Sequence, residues 1–152
     1  MAAVPTAGEI EAYLHRHIPI SAAMGVRVQV CDATGATLAA PLAPNVNHRA
    51  TVFGGSVSAV AILSAWTWLH FALQSAGQAS RLVIQKNGVE YLAPIAGEFA
   101  ARCAAPQPAD FEKFLRTLAR HDKARLALGA GLTCDGTTVA RFHGEYVAVK
   151  TG

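Results

Sequence analysis

The sequence predicts an α+β chain in which a curled antiparallel sheet wraps one long central helix, with short additional helices. Three observations carry this. Between Gly54 and Leu73 there is no Asp, Glu, Lys or Arg, and apolar residues fall on every side of a helical projection, the pattern of a helix covered all round. The flanking segments alternate apolar and polar residues with period two, as half-buried strands do. Apart from the link that holds the helix, the strand connections are short, and short links join antiparallel neighbours.

Residues 7–17 place Ile10, Tyr13 and Leu14 on one helical side, and Pro19 is expected to end that helix. Val26, Val28 and Val30 alternate with Arg27, Gln29 and Cys31, and a turn through Thr34 and Gly35 returns the chain over Thr37–Leu42 as a hairpin. Pro41 and Pro44 release the chain into the loop of residues 45–51, whose Asn45 and Asn47 suit irregular backbone. The long helix opens on Gly54-Gly55, and Gly77 fits a C-terminal cap. Arg81–Ile95 suits one extended strand with a bulge or bend at Asn87-Gly88, and Pro94 and Gly97 turn it into Glu98–Ala105. Pro106 and Pro108 stop that strand, and Phe111, Phe114, Leu115 and Leu118 mark a short amphipathic helix over Asp110–Arg120. Leu126, Leu128, Ala130, Leu132 and Cys134 then alternate with smaller or polar residues up to the hairpin turn Asp135-Gly136. In the last strand Phe142 and Tyr146 alternate with Arg141, His143 and Glu145.

At 152 residues, residues 1–152 suit one domain. With 52% hydrophobic and only 15% charged residues, little polar surface is left to cover a monomer, so burial in an oligomer is expected. A net charge of +3 and a pI near 9.0, with no basic run interleaved with aromatics, argue against a nucleic-acid binder. A small anionic ligand accounts for that charge. Cys31, Cys103 and Cys134 are an odd number without C-x-x-C spacing, and read as buried free thiols in a reducing compartment. His15 and His17 point in different directions on a helix, so no metal pair is expected. The N-terminus carries no charged stretch followed by an apolar run, so a cytoplasmic protein is expected. The charge-free helix has the length of a membrane span, but Ser56, Ser58, Ser64, Thr67 and His70 interrupt it, which favours a buried core helix over a span.

Several pieces recur together: Asn45-x-Asn47, the run Thr51–Ser56, Trp66, Tyr91-Leu92-x-Pro94-Ile95-x-Gly97 and Phe142-x-Gly144-x-Tyr146. In this order, from about Val26 to Lys150, they resemble the hotdog-fold acyl-thioester enzymes, in which an antiparallel sheet wraps one long helix. The nearest resemblance is to the putative thioesterase family first seen as a domain following an acetyltransferase in the YiiD protein. The wider hotdog thioesterases carry an Asn, then His-Gly-Gly, then an acid within the helix. Asn47, Gly54 and Gly55 match that pattern, whereas Phe53 stands where the His would be and Ile62 where the acid would be. The resemblance implies an acyl-CoA or acyl-carrier-protein thioesterase without a cofactor, a CoA thioester being the substrate. It also implies a homodimer or dimer of dimers, with sheets joined edge to edge and sites at the interface. The missing acid keeps two further readings open: a module that binds acyl thioesters without hydrolysing them, and a dehydratase or hydratase.

Thioester hydrolysis needs oxyanion stabilisation, a positioned water and a groove for the acyl and pantetheine arms. The Gly55 N–H at the positive end of the helix dipole supplies the first, with Phe53, Gly54 and Ser56 as neighbouring substrate-binding positions. A glycine pair also serves close backbone packing alone. Asn47 either orients water or the thioester, or closes an Asx-turn. His48, an imidazole next to Asn47 in the loop, is the candidate base. Ser64 either hydrogen-bonds a water or bonds back to its own helix, and Glu90 is either a solvated strand residue or an acid that reaches a site across a dimer. Lys123 and Arg125, with Arg116 and Arg120, are candidates to receive the CoA phosphates.

Overall fold

The structure is a computed structural model and describes residues 4–151. Two helices open it, α1 (Ala7–His17) and α2 (Pro19–Ala23), followed by strands β1 (Arg27–Asp32) and β2 (Gly35–Ala40). The long helix α3 spans Gly54–Ser75, then come β3 (Ser80–Tyr91), β4 (Phe99–Ala104), α4 (Pro108–His121), β5 (Lys123–Cys134) and β6 (Thr137–Lys150). The strands form one antiparallel sheet in the order β1-β2-β4-β5-β6-β3. The hotdog architecture expected from the sequence is present, a curled sheet around one long helix. Pro19 does more than end α1. It is the first residue of α2, where its missing N–H leaves no hydrogen bond unmade.

Helix α3 is long and apolar enough to cross a membrane, but here it is the core helix. Its buried residues, among them Val57, Val60, Ala61, Ser64, Trp68 and Leu69, belong to the core that Leu38, Phe99, Leu132 and Tyr146 bring from the strands. Three aromatic side chains tie it to the sheet by their polar tips, which satisfies groups that burial would otherwise leave unpaired. Trp66 Nε1–H donates to the Leu82 carbonyl at 3.1 Å, Trp68 Nε1–H to the Asp32 carbonyl at 3.0 Å, and the Tyr146 hydroxyl to the Ile62 carbonyl at 2.6 Å. At the C-terminal end Gly77 adopts φ +70°, its N–H donates to the Gln74 carbonyl at 3.0 Å, and Gln78 N–H donates to the Leu73 carbonyl at 2.9 Å. This is a Schellman cap. The expectation of a helix covered all round needs correction. Gly55 is exposed, and Ser58, Ala59, Ile62, Trp66 and His70 form a half-buried stripe along one side.

Two irregularities set which side chains face α3. In β1 the register slips between Val28 and Val30, so Val30 turns out to solvent and Cys31 is half-buried, breaking the expected valine alternation. In β3 the slip lies between Ile84 and Lys86 rather than at Asn87-Gly88, with Gln85 as the extra residue. Leu82 and Ile84 pair with Ala148 and Tyr146, and beyond the bulge Asn87, Val89 and Tyr91 pair with Gly144, Phe142 and Ala140. Directly paired residues share a face, so Tyr91 is turned towards the helix.

Strands β3 and β4 follow each other in sequence yet lie three places apart in the sheet. Residues 92–98 therefore cross roughly 14 Å, about three strand spacings. They pass beside the start of α3, where Val52 N–H donates to the Ile95 carbonyl at 2.8 Å and Leu92 N–H to the Val139 carbonyl at 2.8 Å. Helix α4 buries Phe114 and Leu118, and Phe111 meets Trp68 edge-on with ring centroids 5.2 Å apart. The β5–β6 turn has φ +50° at Asp135 and +76° at Gly136, the type I′ geometry that favours this dipeptide.

Gly35 sits at φ +144°, and a Cβ there would overlap the Cys103 carbonyl oxygen on the neighbouring strand, whereas a Cβ at Gly131 meets nothing within 4 Å. Gly35→Ala should cost about 3 kcal/mol and Gly131→Ala less than about 1 kcal/mol. Urea denaturation reads the difference, and equal midpoints would show that Gly35 does not set the β2–β4 approach. A second prediction concerns pH. The His70 ring stacks on Trp66 at 4.5 Å with Tyr13 at 5.3 Å on another side, and burial first, then the nearby His17, lower its pKa from 6.5. A depressed histidine is neutral in the fold while the unfolded chain takes up the proton, so its stabilisation is present above pH 6.5 and is lost as pH falls below it. The thermal midpoint should drop between neutral pH and pH about 5, and His70→Phe should shrink that drop. An identical drop in His70→Phe would assign the effect to other groups.

Candidate functional site

The loop before α3 is closed by its own hydrogen bonds. Val46 and Val52 form a bridge, Asn47 N–H donates to the Thr51 carbonyl at 2.7 Å, and Phe53 N–H donates to the Asn45 carbonyl at 2.8 Å. Asn47 Oδ1 accepts from the N–H groups of Arg49 at 2.8 Å and Thr51 at 3.2 Å, and its Nδ2 donates to Thr51 Oγ1 at 2.9 Å. Of the two roles expected for Asn47, the geometry contains the Asx-turn: both ends of the amide hold the loop. This fixed frame supports Ala50 at φ +61°, a conformation unusual for a residue with a side chain. Asn45 is buried and donates through Nδ2 to the carbonyls of Met24 and Pro41, both at 2.8 Å, which anchors the loop to the end of α2. His48 and Arg49 are exposed near the tip.

The helix start is bare. Phe53 gives no side-chain cap and no acidic residue lies in the first turn. The hydrogen bonds that open the helix run from the N–H groups of Ser56 and Val57 to the Phe53 carbonyl, at 2.9 and 3.2 Å, and among the described residues the N–H groups of Gly54 and Gly55 have no acceptor. They lie at the positive end of a 22-residue helix, equivalent to roughly half a unit charge. Two aromatic rings flank them. Phe53 is 58% exposed and its ring occupies the space a Gly55 side chain would need, while Tyr91, 54% exposed, lies 3.6 Å from where a Gly54 Cβ would be. The Tyr91 hydroxyl donates to the Gly54 carbonyl at 2.9 Å. Val46, bridged to Val52, and Leu92, next to Tyr91, are also exposed, so apolar surface borders the polar opening.

The structure does not bring every expected residue here. Ser64 is fully buried and its hydroxyl donates to the Ala61 carbonyl at 2.8 Å. Nine residues beyond Gly55, it lies about 180° round the helix, so its place as a catalytic candidate is corrected to a core serine. Ser56 is buried in the first turn. Ile62, seven residues on, returns to within about 20° of the Gly55 side. Glu90 pairs with Arg141 at 3.6 Å on the opposite face of the sheet from α3, both side chains well exposed. Lys123 and Arg125 start β5, whose Leu132 is level with Ala140 and hence with Tyr91. Along the strand Lys123 is about 30 Å and Arg125 about 24 Å from that level, so neither lies at the helix start of its own chain.

Among the described residues no group of three His, Cys, Asp or Glu side chains is placed to hold a metal ion. Burial pushes the Cys31 thiol up to about 11 and the Cys103 thiol to about 12, which keeps both protonated and unreactive. An apolar cavity of about 530 Å³ lies at the other end of α3, lined by Ile10, Trp68, Phe71, Pro106 and Phe111 among others. Trp68 is roughly 21 Å along the axis from Gly54, and the dipole there is negative, which disfavours a developing oxyanion. Of the two ends, the N-terminal one has the polarity that favours a developing negative charge. Sequence reasoning missed Tyr91 as a member of this site; its place in the Tyr91–Gly97 motif was the available signal.

Comparison with known proteins gives a family and the same fold. The family model described as putative thioesterase (yiiD_Cterm) matches residues 7–150. Among solved structures, a protein of unknown function from Chlorobaculum tepidum superposes with a TM-score of 0.91 at 28% identity, covering 95% of this chain and 94% of that one. A putative thioesterase from Shewanella oneidensis gives 0.84 at 29% identity over 94% and 96% of the two chains. A protein of unknown function from Pseudomonas aeruginosa gives 0.82 at 18% identity over 99% and 100%, a likeness of fold.

Proposed function

The chain belongs to the YiiD C-terminal putative thioesterase family, and from that premise we propose that it hydrolyses an acyl-CoA or acyl-carrier-protein thioester at the start of α3. The observation that carries this reading is the pair of acceptor-free N–H groups at Gly54 and Gly55 between two exposed aromatic rings. A thioester carbonyl oxygen that accepts from the Gly55 N–H gains most when it becomes an oxyanion, because charge then develops opposite a fixed dipole. One such donor is worth about 3–4 kcal/mol in the barrier. Water adds to the carbonyl carbon, the tetrahedral intermediate collapses with cleavage of the carbon–sulfur bond, and the departing thiolate takes up a proton. Glycine lets the substrate approach the backbone closely, and Phe53, Tyr91, Val46 and Leu92 offer apolar surface to the acyl or pantetheine arm.

The water activator is the weak point of this site. Ile62 occupies the helix position where related enzymes carry an acid, so general-base help worth about 10²- to 10⁴-fold is missing unless His48 or a group from a second copy provides it. Turnover is accordingly slow. The open edge of β3, with Val83 exposed on it, and the half-buried stripe on α3 support pairing with a second copy. In such an assembly Lys123 and Arg125 would serve the CoA phosphates only from the partner. Ile62 also favours a second reading, a module that binds acyl thioesters without turning them over. A dehydratase or hydratase is less well supported, since no carboxylate accompanies His48.

Thiol release from acyl-CoAs of differing length tests the proposal, and saturable binding without release would select the module. Gly55→Val should fold, because the Phe53 ring in its way is exposed and free to rotate, yet lose about 10²-fold or more in kcat. Asn47→Ala should cost about 1–2 kcal/mol of stability through its loop hydrogen bonds and slow hydrolysis with it. Folded variants that both keep full activity would move the reaction elsewhere.

A further inference from the structure

The Gly54 carbonyl and the Gly55 N–H belong to one planar peptide group, so whatever fixes the carbonyl also fixes the direction of the N–H. The bond that α3 itself makes to that carbonyl, from the Ser58 N–H, belongs to the first turn, where helices fray most readily. A glycine stands on each side, where backbone torsions are least restricted, and Phe53 contributes no cap. The Tyr91 hydroxyl donates to that carbonyl at 2.9 Å, and its ring lies against Gly54. Tyr91 is itself held by pairing with Ala140 in β6 and by the adjoining Leu92 N–H bond to the Val139 carbonyl at 2.8 Å.

We propose that Tyr91 is a positioning residue for hydrolysis, clamping the Gly54–Gly55 peptide so that the Gly55 N–H stays aimed at the oxyanion; this rests on the thioesterase reading given above. The clamp acts in two ways. It disfavours rotation of the peptide, which would turn the N–H away and present a carbonyl oxygen to the substrate. By donating to the carbonyl it also polarises the peptide, which makes the N–H a stronger donor. The acyl group need not touch the phenol for either effect. A hydrogen bond that acts through the oxyanion donor matters most when charge has developed, so its loss falls on kcat rather than on KM.

Tyr91→Phe keeps the ring and removes the bond, and Tyr91 is exposed enough that its hydroxyl adds little to folding. Two readouts are measured on the full chain: the amide ¹⁵N resonance of Gly55, which senses hydrogen bonding to the preceding carbonyl, and the steady-state constants for an acyl-CoA. The expected result is an upfield displacement of the Gly55 resonance, a kcat lower by about tenfold, and a KM within about twofold of the parent protein. An undisplaced resonance, an unchanged kcat, or a loss of kcat that tracks a lowered thermal midpoint each overturns the proposal. Failure of the thioesterase reading has a separate signature, no thiol release by the parent protein. In that case a displaced resonance in Tyr91→Phe still supports the clamp and an undisplaced one overturns it.

Discussion

A 22-residue helix without a charged side chain has to be taken out of water, and the rest of the molecule is arranged by that requirement. Strands from before and after it in sequence bend round it, and each must present apolar groups inward while leaving no polar group of the helix or of itself unpaired. Trp66, Trp68 and Tyr146 resolve this at three points by pairing a large apolar body with one donor that reaches a carbonyl across the interface. Burial pushes the Tyr146 phenol well above its usual pKa, so it remains a donor at any ordinary pH. The sheet nevertheless runs out before the helix is enclosed, and the stripe from Gly55 to His70 is left at the free edge of β3.

The site follows from the same constraint. A helix whose sides are mostly taken up by the sheet meets ligands chiefly through its ends, and only one end has the polarity to favour negative charge. Around that end the chain places parts from distant stretches of sequence: the Asn45–Phe53 loop, the crossing link of residues 92–98 and the last residue of β3. Each is fixed by backbone hydrogen bonds to another part. This is how a glycine pair, intrinsically the most mobile of dipeptides, comes to present its amide groups in a defined direction.

Much of this was legible in the sequence because it is written in local signals. The limits of α3 are marked by Gly54-Gly55 and Gly77, and the β5–β6 hairpin by Asp135-Gly136, residues chosen for backbone reasons that need no knowledge of neighbours. Ser64 is a different case: its opposition to Gly55 follows from helix arithmetic alone, and a closer count excludes it without coordinates. Other features were not legible. The bulge at Gln85 depends on how β3 pairs with β6, so Asn87-Gly88 was the more plausible place from composition. The remoteness of Lys123 and Arg125 from the helix start depends on register, which sets Leu132 rather than the start of β5 level with Tyr91. For Asn47 both roles were visible, but only the positions of Arg49 and Thr51 show that the loop occupies its amide.

The extra residue in β3 has an evolutionary corollary. Side chains on a strand alternate between faces, so chain length between the bulge and the helix start counts modulo two. As the strand stands, the phenol of Tyr91 is on the inner face and the carboxylate of Glu90 is outside, held by Arg141. Loss of Gln85 would close the bulge, leaving Lys86 opposite Glu145 and Tyr91 opposite Ala140, so the phenol would keep its face. A single-codon deletion at this position is therefore a different kind of event from one in the regular part of the strand: it removes an irregularity of the backbone and leaves the chemical groups at the site where they are.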